Sequence, residues 1–248
     1  MTVLRKLGVN VAGVVILLAV LEVVGRFRLA GPIWPPLSDV VAYSGSDQGR
    51  LILGRAVAAT VGEALSGLLI GTVAGLVAAT FGLLVPWLRA GMSQVAIVLS
   101  TVPLIALGPI LITTVGSERT PAVIAALGAG FMVFVAMSSA FSRPADNTQD
   151  LFRVLGASRL KTLARLTAPA SVPAFFDGLA LAAPAALLGA VVGEWFGAAR
   201  GIGVLLVSSM QNYKVEQLWA AALGTSILSL VMYGALAGVR QAAVRRFT

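Results

Sequence analysis

Between Glu63 and Arg89, between Arg89 and Glu118, between Arg119 and Arg143, and again between Glu216 and Arg240, the chain carries no charged residue. Each interval exceeds the roughly 20 apolar residues that an α-helix needs to cross about 30 Å of hydrocarbon. A chain with several such runs cannot bury them all in one water-soluble core, and in lipid its backbone must satisfy its own hydrogen bonds. The expected fold class is therefore all-α, a polytopic membrane protein. Composition agrees: 58% of the 248 residues are hydrophobic and 11% charged, with a mean hydropathy of +0.94. The formal net charge of +8 would suggest nucleic acid in a soluble domain. Here the cations sit mostly at the ends of apolar runs, so membrane lipid is the expected partner and nucleic acid is not.

Neither cysteine nor histidine occurs. Their absence removes disulfides, thiolate and imidazole metal sites, and the Ser-His and Cys-His pairs of nucleophilic catalysis. No metal site and no catalytic residue is expected. The N-terminus has the basic start and apolar run of a signal peptide, but no small-x-small site closes the run directly, which favours a retained first helix. Six spans are expected within a single domain 1–248, at about 7–24, 56–83, 92–115, 122–141, 175–197 and 218–239. The second carries Gly67, Gly71 and Gly75 at small-xxx-small spacing, which lets helix backbones touch. The third contains Pro103 and Pro109, each able to kink a helix. Residues 31–50 read as an irregular external loop, with Trp34 as an interfacial aromatic. An N-terminus inside would place Arg5, Lys6, Arg89, the cations of 143–165 and the three tail arginines in the cytoplasm, along with both termini.

The stretch 143–178 interrupts this apolar pattern. Arg143, Arg153, Arg159, Lys161 and Arg165 face Asp146, Asp150 and Asp177, while Phe152, Leu155, Leu163 and Leu166 recur at helical spacing. The pattern is that of an amphipathic helical pair. Gly156, Ala157 and Ser158 divide it, Ser158 is placed to cap the second helix, and Pro169 and Pro173 are expected to stop that helix.

Asp150-Leu-Phe-Arg-Val-Leu-Gly156-Ala-Ser158, continuing through Leu163, Leu166, Ala168-Pro169, Pro173 and Phe175 to Gly178-Leu179, resembles the EAA loop of binding-protein-dependent ABC importer permeases. Val102-Pro103-Leu104, Gly193-Glu194-Trp195 and Gly201-Ile-Gly203 are similar to the nitrate/sulfonate/taurine/bicarbonate branch of the type I permeases. The sequence departs from the family pattern where Asp150-Leu151-Phe152 stands for Glu-Ala-Ala and Ala168-Pro169 for Leu-Pro.

The resemblance implies a transmembrane subunit of an ATP-driven importer, inserted in a bacterial inner membrane and not catalytic by itself. Two separate ABC ATPase subunits would hold ATP and magnesium, since this chain has no G-x-x-x-x-G-K-[ST] loop and binds no cofactor of its own. A second permease copy, most simply identical, and an external solute-binding protein complete the implied assembly. Asp150, Leu151, Phe152, Leu155, Gly156, Ala157, Ser158 and Arg159 would dock the ATPase. Ser100, Thr101, Pro103, Ser138, Ser139 and Glu194 are the candidates for the pathway, although hydroxyls in membrane helices more often bond to their own backbone. The rival reading is a secondary transporter or channel working without an ATPase, which would be expected to carry ionisable relays near the bilayer midplane.

Overall fold

The computed structural model describes residues 3–142 and 148–247, so Arg143 and Asp146 of the basic stretch lie outside the described residues. All regular structure within them is helical. α1 (Val3–Arg26), α2 (Leu37–Gly45) and the long α3 (Asp47–Leu84) come first, followed by α4 (Pro86–Thr101), α5 (Leu104–Val115) and α6 (Thr120–Ser142). Next come α7 (Thr148–Val154), α8 (Arg159–Thr162) and a π-helical turn (Leu163–Thr167) that leads into α9 (Ala168–Glu194). α10 (Ile202–Gln211) and α11 (Val215–Phe247) close the chain. Five described stretches are long and apolar enough to cross a membrane: Val9–Arg26, Asp47–Leu84, Thr120–Phe141, Arg159–Glu194 and Val215–Gln241.

The third expected span, 92–115, is not one helix. Val102 (ψ 120°) and Pro103 (ψ 119°) are extended, and they separate α4 from α5. Proline pushes the residue before it out of the helical region, and the chain restarts its helix directly afterwards. The opposite correction applies at the other prolines. Pro169 falls in the first turn of α9, directly after the π-helical turn that it continues, and Pro173 and Pro184 are carried inside the helix. Neighbouring elements and local adjustment re-satisfy freed carbonyls in membrane helices, so proline is tolerated there. The fifth membrane helix therefore starts well before residue 175 and ends at Glu194 rather than 197.

The supposed loop 31–50 also contains structure. Glu22 at the end of α1 accepts from the amide and hydroxyl of Ser38, both at 2.9 Å, which fixes the start of α2. Trp34 packs edge-on against Trp219 of α11 with ring centroids 4.5 Å apart, and the Trp219 indole N–H donates to the Ile33 carbonyl at 2.9 Å. Tyr43 of α2 donates to Gln217 Oε1 at 3.0 Å. Partial burial raises its phenol pKa, so it remains a donor at physiological pH.

The centre of the molecule is α6, held between α3 and α9. Its buried face and those of its neighbours are built of Ala64, Ala125, Ala129, Val133, Ala182, Ala183 and Ala186. Glycine brings the backbones together from both sides. A Cβ built on Gly71 of α3 would lie 2.4 Å from the Ala126 carbonyl oxygen, and one on Gly189 of α9 would lie 2.7 Å from Ala125 Cα. Lipid removes the hydrophobic drive for helix association, so close van der Waals packing of this kind supplies the cohesion. Gly71→Ala is expected to lower stability by about 1–3 kcal/mol through overpacking, measured as a lower unfolding midpoint in detergent. Gly234→Ala on α11, where a Cβ meets nothing within 4 Å, should leave the midpoint unchanged or raise it slightly.

Candidate functional site

The loop between α6 and α9 presents apolar side chains that no described residue of this chain covers. Leu151 (55% exposed), Val154 (83%) and Leu155 (72%) share one face of α7 at i, i+3, i+4 spacing, and Leu160 (64%) on α8 stands beside the turn. Phe152 is half-buried, and the side chains of Asp150 and Arg153 lie outside the described residues. α7 ends through Leu155 N–H to Leu151 O (3.0 Å) and Ala157 N–H to Phe152 O (2.9 Å), with Gly156 at φ +67°. A Cβ on Gly156 would meet nothing within 4 Å, so within this chain the glycine answers a backbone demand rather than a crowded contact. Ser158, as expected, caps α8 by accepting from the Lys161 amide at 3.3 Å. Arg159 donates to the Leu84 carbonyl at 3.3 Å, which ties the loop to the end of α3. At the root of the loop an ion pair joins Asp177 of α9 to Arg240 of α11, with both side chains about half exposed.

Sequence reasoning placed Leu151 and Leu155 on this surface but missed Val154, its most exposed member, and Leu160. Their apolar character inside a basic segment was the available signal.

The pathway candidates do not gather at one place. Thr101 is exposed at the end of α4, where its hydroxyl bonds to its own backbone at Val98 O (2.8 Å), and Pro103 is exposed at the helix break. Ser138 is half-buried and Ser139 exposed on α6, while the Ser100 side chain is outside the described ones. Of the other five, whose side chains are described, none lines the cavity of about 740 Å³ that opens between α4–α5 and the α3–α6–α9 core. That cavity is walled by residues such as Gly75, Met92, Leu107, Phe131, Phe134 and Leu188, and among the described residues none that lines it is charged or carries a polar side chain.

Glu194 is instead enclosed at the end of the bundle opposite the loop. It is 1% exposed, Thr60 of α3 is 0% exposed, and the Thr60 hydroxyl donates to Glu194 Oε1 at 2.6 Å. Glu194 Oε2 accepts from the Gly203 amide at 2.5 Å, and Thr60 Oγ1 accepts from the Ile202 amide at 2.8 Å. Two of the unpaired amides that open α10 are thus capped by side chains from two other helices. The pair Gly201 and Gly203 follows from this closeness. A Cβ on Gly201 (φ +136°) would lie 2.2 Å from Glu194 Cδ, and one on Gly203 would lie 2.2 Å from the Val191 carbonyl oxygen. Thr60 carried no sequence signal of its own.

The profile of the family described as binding-protein-dependent transport system inner membrane component matches residues 71–247. The chain belongs to this family. It is the permease subunit of an ABC importer, an integral inner-membrane protein that forms the translocation pathway for a solute delivered by a binding protein. A probable ABC transporter permease protein of Haemophilus influenzae is 30% identical over 70% of this chain and 71% of its own length. The formylaminopyrimidine transport permease protein ThiX of Halalkalibacterium halodurans is 30% identical over 55% of each chain. In fold, the permease resembles a chain of the inward-facing MetNI methionine ABC transporter, with a TM-score of 0.70 at 16% identity over 79% of this chain and 98% of that one.

Because Val154 and Leu155 are largely exposed, Val154→Ser and Leu155→Ser should each move folding stability by less than about 0.5 kcal/mol. Thermal unfolding of the purified permease in detergent measures this.

Proposed function

We propose that the α7–α8 surface is the coupling element through which two separate ATPase subunits move this permease, and that the crevice beside α4–α5 forms this protomer's share of the solute pathway. The observation that carries the reading is the exposed apolar patch of Leu151, Val154, Leu155 and Leu160, framed by Arg159 and Lys161 and set between two membrane helices. Such a patch fits an apolar groove with an acidic rim on a partner. Asp150, Phe152, Gly156, Ala157 and Ser158 complete the docking segment. ATP and magnesium belong to the partner, and this chain contributes mechanical work transfer rather than chemistry.

In the same reading α4 and α5 together make a sixth, broken crossing, the termini and the loop face the cytoplasm, and Glu194 lies at the external end. Two copies of the permease enclose the pathway on their two-fold axis. A small solute then passes an apolar wall whose described residues carry no fixed charge to hold it, and the external binding protein chooses it. The scarcity of ionisable groups around the crevice argues against the ion-coupled alternative.

Co-expression with the cognate ATPase should give a stoichiometric complex whose uptake in proteoliposomes is abolished by vanadate. Leu155→Ser, which leaves folding intact, should cut ATPase recovery by about tenfold or more, as expected when an apolar anchor is lost. Gly156→Asn adds bulk while tolerating the left-handed backbone and should act in the same direction. Full uptake by the permease reconstituted alone would overturn the reading.

A further inference from the structure

We propose that Thr60 and Glu194 act as a latch that seats α10 across the end of the bundle opposite the coupling loop, and that Glu63 is the strained neighbour that keeps the latch releasable. The inference concerns this chain's own fold and does not rest on the coupling reading.

The first turn of α10 is held by groups from other helices. Its N-cap, Gly201, offers no side-chain bond, and its first two amides are taken by Thr60 and Glu194. Ile202 and Leu205 also pack on a small apolar cluster with Ala56, Val191 and Ala221. A carboxylate at a helix N-terminus is favoured by the amides and by the helix dipole, and burial strengthens both. The same burial makes the arrangement sensitive, because removing either partner strands the other polar group away from water.

Glu63 lies one turn along α3 from Thr60, with its carboxyl close to that of Glu194. Its Oε2 is buried without a hydrogen-bond partner. The exposed Arg200, just before Gly201, supplies a positive charge toward Glu63. One carboxyl of the pair is thus fully engaged by α10 and α3, and the other is left partly unsatisfied. Lifting α10 would break the Thr60 and Gly203 bonds but would admit water to Glu63, so the closed state is held against a built-in opposing contribution. A latch of this type opens without the cost of exposing a wholly satisfied site.

The absence of cysteine makes the test direct. Ser209 on α10 is 1% exposed, so Ser209→Cys in the full-length protein in membranes should react slowly with a charged, membrane-impermeant maleimide. Thr60→Val and Glu194→Gln should each speed labelling about tenfold or more, the change expected from losing a hydrogen bond to a charged group. Thr60→Ser, which keeps the hydroxyl, should restore the slow rate. Glu63→Gln, whose amide can donate to Glu194, should label no faster than the parent. A cysteine at Ala129, 0% exposed in the α3–α6–α9 core, should stay protected in every variant. Unchanged labelling in Thr60→Val, fast labelling in Thr60→Ser or Glu63→Gln, or joint exposure of the Ala129 site would each overturn the proposal. Joint exposure would mean that these bonds hold the whole bundle rather than α10.

Discussion

Backbone contact between α3, α6 and α9 is the constraint on which the rest of the molecule depends. Lipid tails are as apolar as leucine, so helices in a bilayer gain little from hiding apolar side chains from one another. They gain from dispersion, which falls off quickly when a gap opens. Gly67, Gly71 and Gly75 on one side of α6 and Gly189 and Gly193 on the other bring three backbones within a methyl group's reach of one another. A core made of alanine and glycine has few rotamers to rearrange, and this gives a stiff three-helix unit. α4 and α5, broken at Val102–Pro103, touch that unit only lightly, and the crevice lies in the space they leave.

Stiffness matters because α9 carries structure at both of its ends. Its 27 residues span about 40 Å at 1.5 Å per residue. One end continues through the π-helical turn into the loop with the exposed leucines, and the other ends at Glu194 beneath α10. The hydrogen-bond ladder is least regular at the loop end, where the π turn and Pro169 and Pro173 fall within a few residues. Bending is therefore concentrated at the root of the loop, while the glycine-packed portion from Gly178 onward moves as one body with α6. A displacement applied at the loop is either absorbed at that root or delivered along the whole helix. The Asp177–Arg240 pair, just above the root, joins α11 to α9.

Much of the architecture was legible in hydropathy and charge. The apolar intervals located the membrane helices, the small-xxx-small pattern of α3 marked it as internal, and the order of apolar, glycine, serine and basic residues described the α7–α8 loop before any coordinates. What stayed hidden depended on which face a residue takes and on which proline obeys its local preference. Pro103 breaks a helix and Pro173 does not, because neighbouring packing decides how freed carbonyls are satisfied. Glu194 was visible as an ionisable group at a span end, but its partner Thr60 lies 134 residues away in sequence and reads as one more helical threonine. The Gly201-Ile-Gly203 pattern was equally visible without its cause, since only the folded chain shows the Glu194 carboxylate lying where a Cβ of residue 201 would be. The crevice carried no marker of its own in the sequence, because its described wall is built of Gly, Ala, Val, Leu, Met and Phe, which recur among the membrane helices of the chain.

The distribution of polarity has a mechanical consequence. The polar contacts of the loop and of the Thr60–Glu194 knot lie at the two ends of the bundle, and the described residues that line the crevice between them carry no polar side chain. A wall without fixed charges or directed donors binds any solute weakly and in no single pose, because tight polar recognition requires groups whose loss of water is repaid by bonds to the ligand. On the proposed reading of the crevice as a passage, weak binding is an advantage, since a deep well there would have to be climbed before release. On that reading selection falls to a partner that holds the solute in water, and the force for movement comes from separate ATPase subunits. The permease keeps for itself the glycine-packed helices, the apolar crevice and the polar contacts that hold its two ends.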